Sequence, residues 1–301
     1  MNNTGTLQKA LSMRHTLDVD GIPRSFTVLD RGSAQHPRDI VLIFHGSRQS
    51  ADIHRRFTGG AFDALATEAG AVVAYLDGYK GNWNDARRES RFPARIEDID
   101  DVAFTRAVIA WLAETHGGDP DRVFAIGYSN GGQMVMRLLH ESPTVIAGAA
   151  VIAATMPAPE SFVDPSPGSS PRPTPVLLVH GTADPIVPYG GGRMRGWARL
   201  VFKVGGTSWS VPRTAEYFAE RNGLTAAPRT RRVSPEDTGS RLWVSRTEYR
   251  ENGRPPVELF TVHGGGHTIP GPKKAPVIIG RTSNDISVAH EVARFFGIGT
   301  P

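Results

Sequence analysis

A serine flanked by glycines, Gly127-Tyr128-Ser129-Asn130-Gly131, follows the apolar run Arg122 to Ile126 and precedes the helix-patterned run Gln133 to His140. Serine attacks a carbonyl only when a base takes its proton and the turn presents its oxygen outward. A strand, a very tight turn and a helix do the presenting, provided the positions two before and two after the serine lack side chains; Gly127 and Gly131 meet that demand. An ordinary glycine-rich strand-to-helix turn has the same composition. The reading therefore depends on partners elsewhere in the chain.

Two partners stand in suitable places. Asp184 lies in His180-Gly181-Thr182-Ala183-Asp184-Pro185, just beyond the apolar run Pro175 to His180, where its carboxylate could orient an imidazole. Its competing role is an Asx turn before proline. His267 closes Gly264-Gly265-Gly266-His267 after the run Val257 to Val262, on a loop able to fold back toward the serine. The order serine, aspartate, histidine, each behind a strand, puts all three at one sheet edge. His263 is the rival base and reads better as a packed residue. His45 and His180 precede glycines at strand ends, where they shape turns, and His45 also borders the oxyanion site. Asp77 reads as a turn residue, and Asp85 stays open between roles.

The oxygen that turns negative during acyl transfer needs preorganised N–H donors. One is expected from the backbone of Asn130, directly after the serine. The second is expected from the loop after Phe44, in His45-Gly46-Ser47-Arg48, with Ser47 first and Arg48 as the alternative.

The elements that must hold these residues alternate between β-type and helical patterns. Arg14 to Asp20 and Ser25 to Leu29, split at Asp20-Gly21, predict a hairpin. Strands are expected at 39–44, 71–76, 123–126, 147–153, 175–180, 246–249 and 257–262, with helices at 62–68, 99–116, 133–140, 211–222 and 287–296. Continuous apolar strands such as Asp39 to Phe44 predict a mainly parallel sheet covered on both faces. The spans 156–175 and 190–206 read as insertions over the site, and no boundary divides the 301 residues into two domains.

Composition removes several other classes. The sequence has no cysteine, which excludes disulfides and thiol chemistry. The 34 basic and 30 acidic residues are spread along the chain, so a net charge of +4 argues for no nucleic-acid partner, and Arg229, Arg231 and Arg232 read as a solvated loop. Glu97, Asp98, Asp100 and Asp101 match no calcium loop and suit a helix start, and Gly190-Gly191-Gly192 lacks the setting of a phosphate loop. No metal or cofactor is expected. A polar N-terminus and the lack of a long apolar run predict a cytoplasmic chain with no membrane segment, or a secreted one if a leader was removed.

Phe44-His45-Gly46, Gly127 to Gly132, His180-Gly-Thr-Ala-Asp-Pro-Ile-Val-Pro-Tyr189 and Gly264-Gly-Gly-His-Thr268 together resemble the polyhydroxybutyrate depolymerase and feruloyl esterase family of α/β-hydrolases, over about residues 24–296. The resemblance implies an α/β-hydrolase fold, with a mainly parallel central sheet and helices on both faces, and a serine carboxylic ester hydrolase. It implies Ser129 as nucleophile, Asp184 as acid and His267 as base, acting on small or oligomeric esters such as feruloyl or hydroxyalkanoate esters. A thioesterase, an acyltransferase or a small peptidase would use the same groups, and a catalytically silent binding protein would have no need of them. Secreted members carry cysteines where this chain has Ser47 and the charged run Arg87-Arg88-Glu89, and a tryptophan where it has Ile269. Trp83 is expected either in the substrate pocket or in the core, and His45, Arg48 and Ile269 are further candidates for contact with substrate.

Overall fold

The computed structural model describes residues 11–32, 37–163, 171–194, 196, 204–235 and 241–300. Parts of both expected insertions, 164–170, 195 and 197–203, lie outside the described residues.

Ten strands form one sheet: β1 (Leu11–Val19), β2 (Ile22–Asp30), β3 (Arg38–Phe44), β4 (Val72–Leu76), β5 (Gly118–Tyr128), β6 (Gly148–Ile152), β7 (Val176–Gly181), β8 (Arg229–Arg232), β9 (Trp243–Tyr249) and β10 (Val257–His263). Their spatial order is β1-β2-β4-β3-β5-β6-β7-β10-β9-β8. The six strands from β4 to β10 are parallel, and the outer strands at each side pair antiparallel. The expected hairpin is β1-β2. Its turn places Asp20 at φ 53° and Gly21 at φ 78°, the left-handed pair that a two-residue hairpin turn requires.

Alternation along the buried strands divides the core into two layers. Ile40, Leu42 and Phe44 of β3 pack with Val123 and Ala125 of β5 under α4 (Asp101–His116), α5 (Asn130–Glu141) and α6 (Val211–Arg221). Val41, Ile43, Phe124 and Ile126 point the other way, toward α1 (Ala51–Phe57), α2 (Ala64–Thr67) and α7 (Val288–Phe296). A short helix α3 (Pro93–Ile96) completes the described α-helices.

Local chemistry sets the helix ends. The Asp100 side chain caps α4 by accepting from the Ala103 N–H at 2.7 Å, and Gly117 ends that helix at φ 62°. The acidic cluster is thereby explained: Asp100 caps, Asp101 forms a buried ion pair with Arg24 at 2.6 Å, and Glu97 meets Lys80. Among the described residues no group of three or more potential ligands is placed to hold a metal, and no helix is long and apolar enough to cross a membrane.

Several elements differ from the sequence reading. The basic cluster at 229–232 is not a loop but the edge strand β8, and all four of its residues are exposed. Arg231 approaches Glu248 at 3.7 Å and the Arg232 guanidinium lies 5.1 Å above the Trp243 ring, so charge blunts an edge that could otherwise recruit another strand. Strand β5 is longer than expected and includes the polar start Gly118 to Asp121. The helix expected over 62–68 is a 3₁₀ turn (Ala61–Asp63) leading into α2.

Candidate active site

Because β3, β5, β7 and β10 are parallel, the loops that follow them share one edge of the sheet. Ser129 occupies the turn between β5 and α5 at φ 53° and ψ −114°, conformational space that an L-residue enters only when its surroundings impose it. Its N–H donates to the Ile152 carbonyl at 2.9 Å, and its own carbonyl accepts from Gln133 N–H at 3.1 Å. A Cβ on Gly127 would overlap the Gly131 carbonyl, and one on Gly131 would lie 2.7 Å from the His45 oxygen and closer still to that of Phe44. The turn is therefore tight enough to press β5, α5 and the loop after β3 together. The N-terminus of α5, the positive end of its dipole, opens beside the serine.

Ser129 Oγ lies 2.8 Å from His267 Nε2, and His267 Nδ1 lies 2.7 Å from Asp184 Oδ2. An ionised carboxylate only accepts, so Nδ1 carries the proton and Nε2 is left to accept from the serine hydroxyl. The other Asp184 oxygen accepts from the N–H groups of Ile186 at 2.7 Å and Val187 at 2.8 Å. Burial pushes the Asp184 carboxyl up, but His267 and His180 outweigh it and hold the group well below the usual carboxylate range. His267 is fixed through its backbone: its N–H donates to Ile279 at 2.7 Å and its carbonyl accepts from the Tyr128 hydroxyl at 2.7 Å.

His180 has more to do than shape a turn. Its Nε2 lies 3.0 Å from the Val187 carbonyl and 3.3 Å from Asp184 Oδ2, so a second imidazole supports the acid from behind. The His-Gly-x-x-Asp spacing contained that signal, because residues four apart around a tight turn can meet again. His263 stacks on Trp243 at 3.5 Å and bonds Ser245 at 2.9 Å, away from the serine.

The loop after β3 is pinned from several sides. Trp83 Nε1 donates to the His45 carbonyl at 2.9 Å, Gly78 N–H donates to His45 Nε2 at 2.9 Å, and Gln49 Oε1 accepts from Gly46 N–H and from His54 Nδ1. The Arg48 N–H donates to the Gly81 carbonyl at 2.8 Å. That bond commits the Arg48 N–H to Gly81, whereas Ser47 lines the same small hollow as Ser129. The Asn130 side chain joins this scaffold by accepting from Trp83 N–H at 2.9 Å and donating to Asp85.

The structure decides between pocket and core for Trp83 and places His45 and Ile269 away from the hollow at Ser129. Trp83 is fully buried in the core because its indole N–H is spent on His45, and His45 is buried with both ring nitrogens engaged. Ile269 packs in the core layer that faces α1, α2 and α7, and borders a separate hollow near Phe57. In their place the hollow at Ser129 is lined by Arg87, Gln133, Ile186, Val187 and Met194. No pattern in the sequence marks those side chains, since they converge from separate loops and one helix turn.

Burial holds His45 to about 4, His54 to about 3 and His140 to about 4, against an ordinary value near 6.5. Below pH 6.5 the unfolded chain takes up protons that these buried rings refuse, and each contributes a loss of up to about 1.4 kcal/mol per pH unit until its folded value is reached. The melting temperature should therefore fall from pH 7 to pH 5, and His54→Gln should make that slope shallower. Equal melting temperatures at the two pH values would contradict this account.

A nucleophile turn at the carboxyl edge of a mostly parallel sheet, with helices on both faces, defines an α/β-hydrolase. The comparisons agree and narrow it. Residues 84–196 match the family described as phospholipase/carboxylesterase. The chain is 32% identical over 263 residues to the putative esterase NocK of Nocardia uniformis subsp. tsuyamanensis, covering 86% of this chain and 74% of that one. It is 31% identical over 212 residues to feruloyl esterase B of Piromyces equi, covering 70% of this chain and 36% of that one. Among solved structures, the acetyl xylan esterase from Aspergillus awamori shares the fold with a TM-score of 0.58 at 15% identity, over 95% of this chain and 99% of that one. The chain belongs to an esterase family of the α/β-hydrolase superfamily, as a carboxylesterase-type hydrolase.

Proposed function

We propose that this chain hydrolyses small or oligomeric carboxylic esters in two steps through an acyl-enzyme on Ser129. His267 Nε2 takes the serine proton as Oγ bonds to the carbonyl carbon, and the negative oxygen is received by the N–H groups of Ser47 and Asn130. Asp184 holds the resulting imidazolium in orientation. The tetrahedral intermediate collapses as the alkoxide leaves with the proton from His267. Water then gives a proton to His267, attacks the acyl carbon, and the second collapse frees the acid and restores the serine. No cofactor takes part.

The observation that carries this reading is the unbroken relay from Ser129 to His267 to Asp184, with spacings of 2.8 and 2.7 Å, beside a helix N-terminus. Feruloyl and hydroxyalkanoate esters are the first substrates to try, given the feruloyl esterase among the relatives. The test is initial-rate hydrolysis of p-nitrophenyl acetate, p-nitrophenyl butyrate, methyl ferulate and a hydroxybutyrate oligomer, alongside fluorophosphonate labelling. Turnover of at least one ester and label on Ser129 are expected. Absence of both would overturn the proposal.

A further inference from the structure

The two N–H groups expected to receive the oxyanion sit on different elements, Ser47 on the loop after β3 and Asn130 at the start of α5. Donors stabilise a developing charge only if they are in place before it forms, so the separation of these two elements has to be fixed. The sheet fixes it as far as Phe44 opposite Gly127, the last pair in the register of β3 and β5. Beyond that pair, α5 lies so close to the end of β3 that Gly131 has no room for a Cβ beside the Phe44 and His45 carbonyls. Contact of this kind resists approach. It does nothing against separation.

Resistance to separation comes through Trp83. Its backbone N–H donates to Asn130 Oδ1 at 2.9 Å, and its indole Nε1–H donates to the His45 carbonyl at 2.9 Å. One residue with two donors therefore spans from the position after the nucleophile to the position two before Ser47. The span is held at each point. Trp83 is fully buried, its ring meets Phe44 edge-on with centroids 5.1 Å apart, and the N–H of the next residue, Asn84, donates to Asp101 at 2.7 Å at the head of α4. The Asn130 amide cannot flip, because its Nδ2 donates to Asp85, a carboxylate paired with Arg87, and Oδ1 is thereby turned toward Trp83. At the other end His45 is held by Gly78, whose N–H donates to Nε2 at 2.9 Å.

We propose that Trp83 is a positioning residue for the oxyanion site, a strut that keeps the Asn130 and Ser47 donors at the separation a single oxygen requires. This rests on the reading of Ser129 as an esterase nucleophile whose oxyanion is received by those two N–H groups. Trp83 acts through Asn130 and the His45 loop and touches no reacting atom. A tryptophan serving the core alone would, when replaced, cost stability and leave kcat of the folded enzyme unchanged.

Trp83→Phe keeps an aromatic ring and the backbone N–H while removing the indole donor. Asn130→Ala cuts the other tie and keeps the backbone N–H at position 130. Rates are measured on p-nitrophenyl butyrate well below each variant's melting temperature and expressed per site labelled by a fluorophosphonate. Acylation and deacylation both pass through an oxyanion, so kcat reads the loss whichever step is slower. Each variant should lose about tenfold or more in kcat with KM within about threefold of wild type, the pattern of an interaction made only in the transition state. Binding of 1,1,1-trifluoro-2-hexanone should weaken by a similar factor, because its carbonyl becomes an oxyanion when Ser129 Oγ adds and His267 takes the serine proton. The double variant should be within about threefold of the worse single one, since ties in series fail together when either is cut. A kcat loss below about tenfold, a loss confined to KM, unchanged inhibitor binding, or losses that multiply in the double variant would overturn the strut while wild-type turnover leaves the esterase reading intact. If Trp83→Phe does not fold, Asn130→Ala alone is held to the same kcat, KM and inhibitor criteria. A wild type that turns over no ester overturns the strut as well, and fluorophosphonate labelling then decides whether the reading of Ser129 survives.

Discussion

Ser129→Ala should lower kcat/KM by a factor on the order of ten thousand or more for every ester that the wild type hydrolyses. The substitution removes the only oxygen within hydrogen-bonding distance of His267 Nε2 among the described residues and leaves Asp184, Ser47 and Asn130 in place. What remains is binding and oxyanion stabilisation without a nucleophile. The melting temperature should change little, because the backbone at position 129 keeps its two hydrogen bonds to Ile152 and Gln133. Initial rates and a melting curve on the same sample check both halves. A variant that keeps about a tenth of the activity would show that Ser129 is not the attacking group.

Gly131→Ala should be the most damaging single methyl in the molecule. Its Cβ would enter a space already occupied by the carbonyl oxygens of Phe44 and His45, both backbone atoms at the end of β3. A flexible side chain could rotate away, but two strand-end carbonyls cannot move without shifting the loop that carries Ser47. Overpacking of this kind typically costs about 1 to 3 kcal/mol and more when backbone must move. We expect about 3 kcal/mol or more by denaturant titration, together with lost activity. A stable, active alanine variant would mean that the contact between α5 and β3 is looser than described.

The parallel strands and the residues at their ends were legible because both follow simple rules. Continuous apolar runs marked β3, β4, β7 and β10, and the order of Ser129, Asp184 and His267 behind three of the strands anticipated their meeting at one edge. Strand β8 was not legible: Arg229-Thr-Arg-Arg232 has no apolar alternation, and it is a strand only because β9 offers it an edge. Helix α1 had a capping serine at Ser50 but too short a pattern to register. The engagement of the Arg48 N–H with Gly81 was not legible either, because it joins residues with no sequence relation. For Trp83 the sequence left pocket and core open and His45 was drawn toward the substrate by its chemistry, whereas the structure commits both to pinning the loops around them.

The loop after β3 and the segment 78–83 are stitched together by Arg48 to Gly81, Trp83 to His45 and Gly78 to His45, three hydrogen bonds with no covalent link between the loops. Such ties re-form whenever the backbone regains its path, with no oxidant, no reductant and no shuffling of wrong pairings. The loop after β3 can thus be rebuilt by the same collapse that assembles the sheet, with no redox partner needed to restore its ties.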